Sequence, residues 1–149
     1  MLNVIYIKEF NLNTPTWDDL LNDFNHSAEL GENIKAHHGF YVSRSAYRIP
    51  KVKKVLNQLN LNTAHLYMNI SSVSPTFGNH TDGIDVYYWQ VKGKSKWVIQ
   101  DKQEYILDIG DLIIIPEGIE HCVIPLGPRA GISMSNELIK YNPHEGPHL

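Results

Sequence analysis

Between residues 110 and 121 the chain reads Gly110-Asp111-Leu112-Ile113-Ile114-Ile115-Pro116-Glu117-Gly118-Ile119-Glu120-His121. Four aliphatic residues, three of them isoleucine, lie between two turn signals, Gly110-Asp111 and Pro116-Glu117-Gly118. A run this short, apolar and β-branched reads as a strand. A second turn follows it, and His121 stands where the next strand begins.

On either side the same grammar continues. Strands are expected at Ile84–Lys92, Ser95–Gln100, Tyr105–Asp108, Cys122–Pro125 and Ala130–Ser135. Gly78-Asn79, Lys92-Gly93-Lys94, Asp108-Ile109-Gly110-Asp111 and Gly127-Pro128 punctuate them. Residues Ala64–Ser71 alternate: Leu66, Met68 and Ile70 point one way, and His65, Tyr67, Asn69 and Ser71 the other. A strand that turns Tyr and Asn inward suits a barrel with a site inside it. Several short strands at near-regular spacing predict a sandwich or barrel.

The first part of the chain is different. Asn3–Ile7 reads as an opening strand. Thr14-Pro15 looks like a helix start, with Trp17, Leu20, Leu21 and Phe24 at helical spacing. A second helix is expected from Pro50 to about Asn60, with Val52, Val55, Leu56 and Leu59 as its apolar stripe. The prediction is one mainly β domain over residues 1–149, a barrel with two N-terminal helices on its outside. Residues 1–62 would be the cover, 63–137 the barrel and 138–149 a mobile tail holding His144 and His148.

Composition sets the bounds. A domain of 149 residues buries roughly 70% of its unfolded surface, enough for one core without staples. The single cysteine, Cys122, excludes an internal disulfide framework and suits a reducing cytoplasm. The opening MLNVIYIKEF is apolar only until Lys8 and Glu9, too short for a signal segment, and no stretch approaches a membrane span. A soluble cytoplasmic protein is expected. Net charge is −3 and the pI near 6.2, so the basic excess of a nucleic-acid binder is missing. The groups Lys51, Lys53, Lys54 and Lys92, Lys94, Lys96 read as solvated faces.

His80-Thr81-Asp82 puts an imidazole and a carboxylate on one face of an extended chain, where both can reach one ion. With eight histidines and sixteen acids in the chain, about one such pairing is expected by chance, so the motif alone decides little. The segment ending in His121 decides more. It matches the second motif of the cupin family, a glycine, five residues, Pro-x-Gly, two residues and a histidine, at Gly110, Pro116, Gly118 and His121. Residues 64–136 therefore resemble the double-stranded β-helix of cupins.

The first segment, Gly78-Asn79-His80-Thr81-Asp82 with Asp85, Val86, Gln90, Gly93 and Trp97, is similar to the JmjC-like subgroup. That subgroup contains the ribosomal oxygenases and related 2-oxoglutarate-dependent hydroxylases. Ordinary cupins carry a second histidine where Asp82 stands and a glutamate where Val86 stands. The resemblance thus implies a metal triad of His80, Asp82 and His121 holding iron(II), with open positions for a 2-oxoacid and dioxygen. It further implies that 2-oxoglutarate becomes succinate while a small molecule or a protein side chain is hydroxylated, and that the chain pairs as a homodimer.

One departure stands out. The subgroup anchors the far carboxylate of 2-oxoglutarate with a Lys or Arg at the position of Ser95. Lys94 and Lys96 flank Ser95 but face the other way. Arg129, on the strand after His121, is the substitute that other oxygenases of this fold suggest; as a residue after Gly127-Pro128 it also reads as an exposed turn residue. Tyr67, Asn69 and Tyr88 are the polar helpers expected around a cosubstrate, with Ser95 beside them. Trp97 and Cys122 read as core, His37-His38 as exposed loop, and Asp85 as a turn residue or a partner of a ligating imidazole. Two other functions stay open: a metal-dependent cupin of different chemistry, such as an isomerase or a dioxygenase without cosubstrate, and a non-catalytic ligand-binding cupin.

Overall fold

The turn signals and the alternation together dictate a two-sheet barrel, and the computed structural model has one. It describes residues 3–31 and 34–137 and the short strands Tyr141–Asn142 and Gly146–Pro147. The elements are β1 (Ile5–Ile7), α1 (Trp17–Glu29), β2 (Ile34–His37), β3 (Phe40–Ser43), α2 (Pro50–Leu59), β4 (Thr63–Asn69), β5 (Val86–Lys92), β6 (Ser95–Ile99), β7 (Gln103–Leu107), β8 (Leu112–Ile115), β9 (His121–Pro125) and β10 (Arg129–Ser135). One antiparallel sheet has the order β1-β8-β5-β10-β4-β3-β2, and a smaller one the order β7-β6-β9. This is the cupin fold. Among the described residues, no helix is long and apolar enough to cross a membrane.

The alternation read from the sequence sorts the core into two layers. Leu66 and Met68 of β4, Trp89 of β5, and Ala130, Ile132 and Met134 of β10 face the helices, which contribute Leu20, Val52, Val55 and Leu56. The opposite face of the large sheet meets the small sheet, with Tyr88, Trp97, Ile99, Leu107, Ile113 and Ile115 between them. Tyr67 and Asn69, of opposite parity to Leu66 and Met68, therefore belong to the barrel interior.

Three local expectations are corrected. Helix α1 starts at Trp17, with Thr16 rather than Thr14 as its cap. Thr16 Oγ1 accepts from the Asp19 amide (3.1 Å) and the Asp19 carboxylate from the Thr16 amide (2.9 Å). That reciprocal box satisfies two orphan donors; Thr14 has Trp17 three residues on and can form none. Secondly, residues 1–62 are more than a cover: β1 pairs with β8, and β3 with β4, so both extend the large sheet. Their hairpin partner β2 makes His37 a strand residue, while His38 sits exposed in the turn as expected. Thirdly, Cys122 is half-buried and not core. The tail histidines His144 and His148 lie outside the described residues.

Buried polar groups join the layers. Asp23 of α1 accepts hydrogen bonds from the hydroxyls of Ser43 (2.8 Å) and Ser45 (2.7 Å), fixing the helix to the end of β3. Asp111, 1% exposed, accepts from Tyr6 Oη, the Glu9 amide and the Asp108 amide. The acid of the quoted stretch thus ties β1 and the β7–β8 turn together.

Candidate metal centre

Backbone pairing assembles the centre. His80 and His121 exchange two antiparallel hydrogen bonds, His80 N to His121 O (3.0 Å) and His121 N to His80 O (2.9 Å). The two imidazoles are therefore direct cross-strand neighbours, their ring centroids 4.4 Å apart. The Pro116-Glu117-Gly118 turn closes the third side, because the Gly118 amide donates to Asp82 O at 3.0 Å. Gly118 takes φ +79, the left-handed region that glycine enters without penalty. Asp85 secures the same turn by accepting from the Glu117 amide (2.8 Å), so it is a turn residue and touches neither imidazole.

The donor atoms converge. His80 Nε2 lies 3.8 Å and His121 Nε2 3.3 Å from Asp82 Oδ2, and one ligand atom from each residue lies within 4.8 Å of the others. Ligands about 2.1 Å from one ion at right angles sit about 3 Å apart, so small side-chain shifts suffice to close on a cation. Both Nδ1 atoms face backbone carbonyls, His80 that of Gly78 (2.8 Å) and His121 that of Ile119 (2.9 Å). A carbonyl only accepts, so Nδ1 carries the proton and Nε2 is left for an ion. The polar contact with the His121 ring holds the Asp82 carboxyl below its ordinary range, against the opposing effect of burial. The acid is thereby kept in its ligating, ionised form.

Behind the triad lies a pocket with aromatic walls. Trp97 is 2% exposed and its ring stacks on His121 at 5.5 Å and 19°. The residue expected as core is core, and it also fixes the plane of the His121 imidazole. Phe77 stands edge-on to His80 at 6.0 Å and to Tyr67 at 5.4 Å. Neither Phe77 nor Phe40, which also lines the pocket, was indicated by the sequence pattern. Phe77 sits in an irregular loop, and β3 has no alternation of its own. Trp97 shares parity with Ser95, and alternation alone could have turned it inward.

Arg129 also lines this pocket. At 2% exposure it is not an exposed turn residue. Its Nε donates to Asn69 Oδ1 (2.7 Å) and its Nη1 to Tyr88 Oη (2.6 Å). Among the described residues no carboxylate lies within 4 Å of it. A buried guanidinium with only neutral partners is expensive, and it calls for an anion. Gly131 makes the arrangement sterically possible, since a Cβ there would lie 1.8 Å from Tyr88 Oη. Burial pushes the Tyr67 phenol up to about 12, with the Asp82 charge adding to it. Burial raises Tyr88 as well, against the lowering effect of Arg129. Both phenols are therefore hydrogen-bond donors at neutral pH. Ser95 is placed differently: fully buried, it donates to Gln90 Oε1 (2.7 Å), receives Trp97 Nε1 (3.2 Å) and does not line the pocket. Lys94 and Lys96 face outward, paired with Asp108 and Glu104.

No protein-family model and no curated protein matches the sequence. Solved structures do match in fold. The ribosomal oxygenase YcfD from Escherichia coli, in complex with cobalt and 2-oxoglutarate, superimposes with a TM-score of 0.72 at 14% identity, over 93% of this chain and 49% of that one. The same protein with cobalt and succinic acid gives 0.69 at 14% identity, over 92% and 48%. A conserved Streptococcus pyogenes protein of unknown function, SPY1581, gives 0.51 at 14% identity, over 68% and 78%. This chain spans about half the length of the YcfD structures. Its barrel shares the fold of the matching part of YcfD.

Proposed function

We propose that this chain is an iron(II)- and 2-oxoglutarate-dependent oxygenase that hydroxylates a small molecule or a protein side chain. One observation carries the reading: a metal-type donor set and a buried arginine with no carboxylate partner among the described residues line the same pocket. Two imidazoles and one carboxylate on one side of an ion leave room for a bidentate 2-oxoacid and dioxygen. The E. coli YcfD complexes with cobalt and with 2-oxoglutarate or succinate support the transfer.

In this reading His80, Asp82 and His121 hold the metal. Iron with 2-oxoglutarate supplies the oxidation of a C–H bond by dioxygen, 2-oxoglutarate leaving as succinate and carbon dioxide. The chain's own work is positional. Arg129 pairs with the far carboxylate of the cosubstrate, and the protonated Tyr67 phenol is a further donor within the pocket. Arg129 thus takes on β10 the task that the resemblance places at Ser95, whose hydroxyl is committed to Gln90. Trp97 and Phe77 pack against the two ligand imidazoles and limit water beside them. The test is turnover: purified protein with iron(II), ascorbate and 2-oxoglutarate should form succinate slowly without substrate, and Asp82→Ala should not. Equal succinate from both would refute the assignment.

Ser95 supports a second reading, a metal-dependent cupin that uses no cosubstrate. In that case iron binds and 2-oxoglutarate is neither bound nor consumed.

A further inference from the structure

Asn69 lies between a group that can only donate and a group that can only accept. Its Oδ1 receives Arg129 Nε at 2.7 Å, and its Nδ2 donates to the Pro75 carbonyl at 2.8 Å. A guanidinium has no acceptor and a carbonyl no donor, so the residue between them needs one of each at a fixed separation. An amide meets that need; a carboxylate of the same shape cannot. The orientation of the Asn69 amide follows from its neighbours, because a flip would set donor against donor and acceptor against acceptor.

The Pro75 carbonyl opens a segment that ends on the metal centre. Thr76 Oγ1 donates to Val123 O (2.9 Å) and accepts from the Gly78 amide (3.4 Å), and Gly78 O receives Nδ1 of His80 (2.8 Å). Between them Phe77, 59% exposed, leans edge-on against His80. A second connection runs through the sheet. Arg129, Asn69 and Phe40 are register partners across β10, β4 and β3, and the Phe40 ring meets Phe77 at 5.1 Å. One amide therefore joins the buried cation of the pocket to the loop that carries the exposed Phe77 at the pocket mouth.

We propose that Asn69 is a positioning residue through which an anion bound at Arg129 orders the loop of residues 75–78. The inference rests on the cosubstrate reading of Arg129. An anion that engages Arg129 fixes the guanidinium, the guanidinium fixes the Asn69 amide, and the amide holds Pro75 O. Phe77 and the Gly78 carbonyl are set in place as a result. The pocket mouth then takes its substrate-binding shape after the cosubstrate has arrived.

The test is hydrogen–deuterium exchange of the 70–80 segment in the iron(II) protein under anaerobic conditions, with and without 2-oxoglutarate. Cosubstrate binding is monitored separately by the visible iron-to-2-oxoacid charge-transfer band. In the wild type, 2-oxoglutarate should slow exchange of the loop amides at least about threefold. Asn69→Asp, which keeps shape and the acceptor for Arg129, and Asn69→Leu, which loses both bonds, should abolish the slowing at concentrations that saturate the band. Thr76→Val should raise exchange with and without 2-oxoglutarate yet retain the slowing, a result that loop stability alone would not give. A band without slowing in the wild type, or equal slowing in all four proteins, overturns the link and leaves the cosubstrate reading standing. No band in the wild type overturns both.

Discussion

Replacing Arg129 by methionine should separate cosubstrate affinity from stability. The guanidinium is 2% exposed and bonded to two neutral oxygens, with no carboxylate near it among the described residues. Removing one partner of a buried, hydrogen-bonded charge pair costs about 2–5 kcal/mol, which is roughly 30- to several-thousand-fold in affinity for 2-oxoglutarate. Two opposed effects act on the free protein. Each charge-assisted hydrogen bond lost costs about 1.5–3 kcal/mol. The relief of an uncompensated buried charge returns several kcal/mol. They offset to within about 2 kcal/mol, a melting shift below about 8 °C at this chain length. Anaerobic titration of the charge-transfer band reads the affinity, and circular dichroism melting reads the stability. Arg129→Lys, which keeps the charge but not the fork to Asn69 and Tyr88, should fall between. Undiminished 2-oxoglutarate binding by Arg129→Met would refute the reasoning; so would a melting loss far beyond that range, since it would mean the charge is already compensated in the free protein.

Gly131→Ala should destabilise the barrel by about 1–3 kcal/mol or more, because its Cβ would fall 1.8 Å from Oη and 1.9 Å from Cζ of a Tyr88 that is 1% exposed. The urea midpoint checks this, and an unchanged midpoint contradicts it. Tyr67 predicts an alkaline loss of stability. Its folded value of about 12 lies above the ordinary 10.0, so its contribution is complete below pH 10 and is lost as pH rises towards 12. By pH 11 the loss is about 1.4 kcal/mol relative to pH 9, and Tyr67→Phe should show correspondingly less of it in urea melts at the two pH values. Tyr6 is also raised to about 12, and the difference between wild type and Tyr67→Phe cancels its share.

Much of the site was legible because it rides on a period of two. Once the segment from Gly110 to His121 is a strand bracketed by turns, and Ala64–Ser71 alternates, the inward residues follow by counting. Tyr67 and Tyr88 line the pocket, Asn69 is buried against Arg129, and Trp97 is core. What stayed hidden depends on contacts between distant segments. The exchange of backbone bonds between His80 and His121 spans forty residues that no local pattern relates. The burial of Arg129 depends on the space at Gly131, and a glycine in a strand does not announce which ring fills its place. Strand β3 exists because β4 pairs with it, and its four residues carry little signal beside His37-His38-Gly39. At the start of α1 two local signals compete: Thr14-Pro15 is the commoner helix opening, while Thr16 and Asp19 form the better box.

The metal centre with its cosubstrate is the central claim, and anaerobic spectroscopy tests it without knowledge of the substrate. Iron(II) and then 2-oxoglutarate would be added to metal-free protein and to Asp82→Ala, and the visible spectrum recorded. A charge-transfer band in the intact protein, missing in the variant, is the predicted result. Iron binding without any band, or an equal band in both proteins, would contradict it.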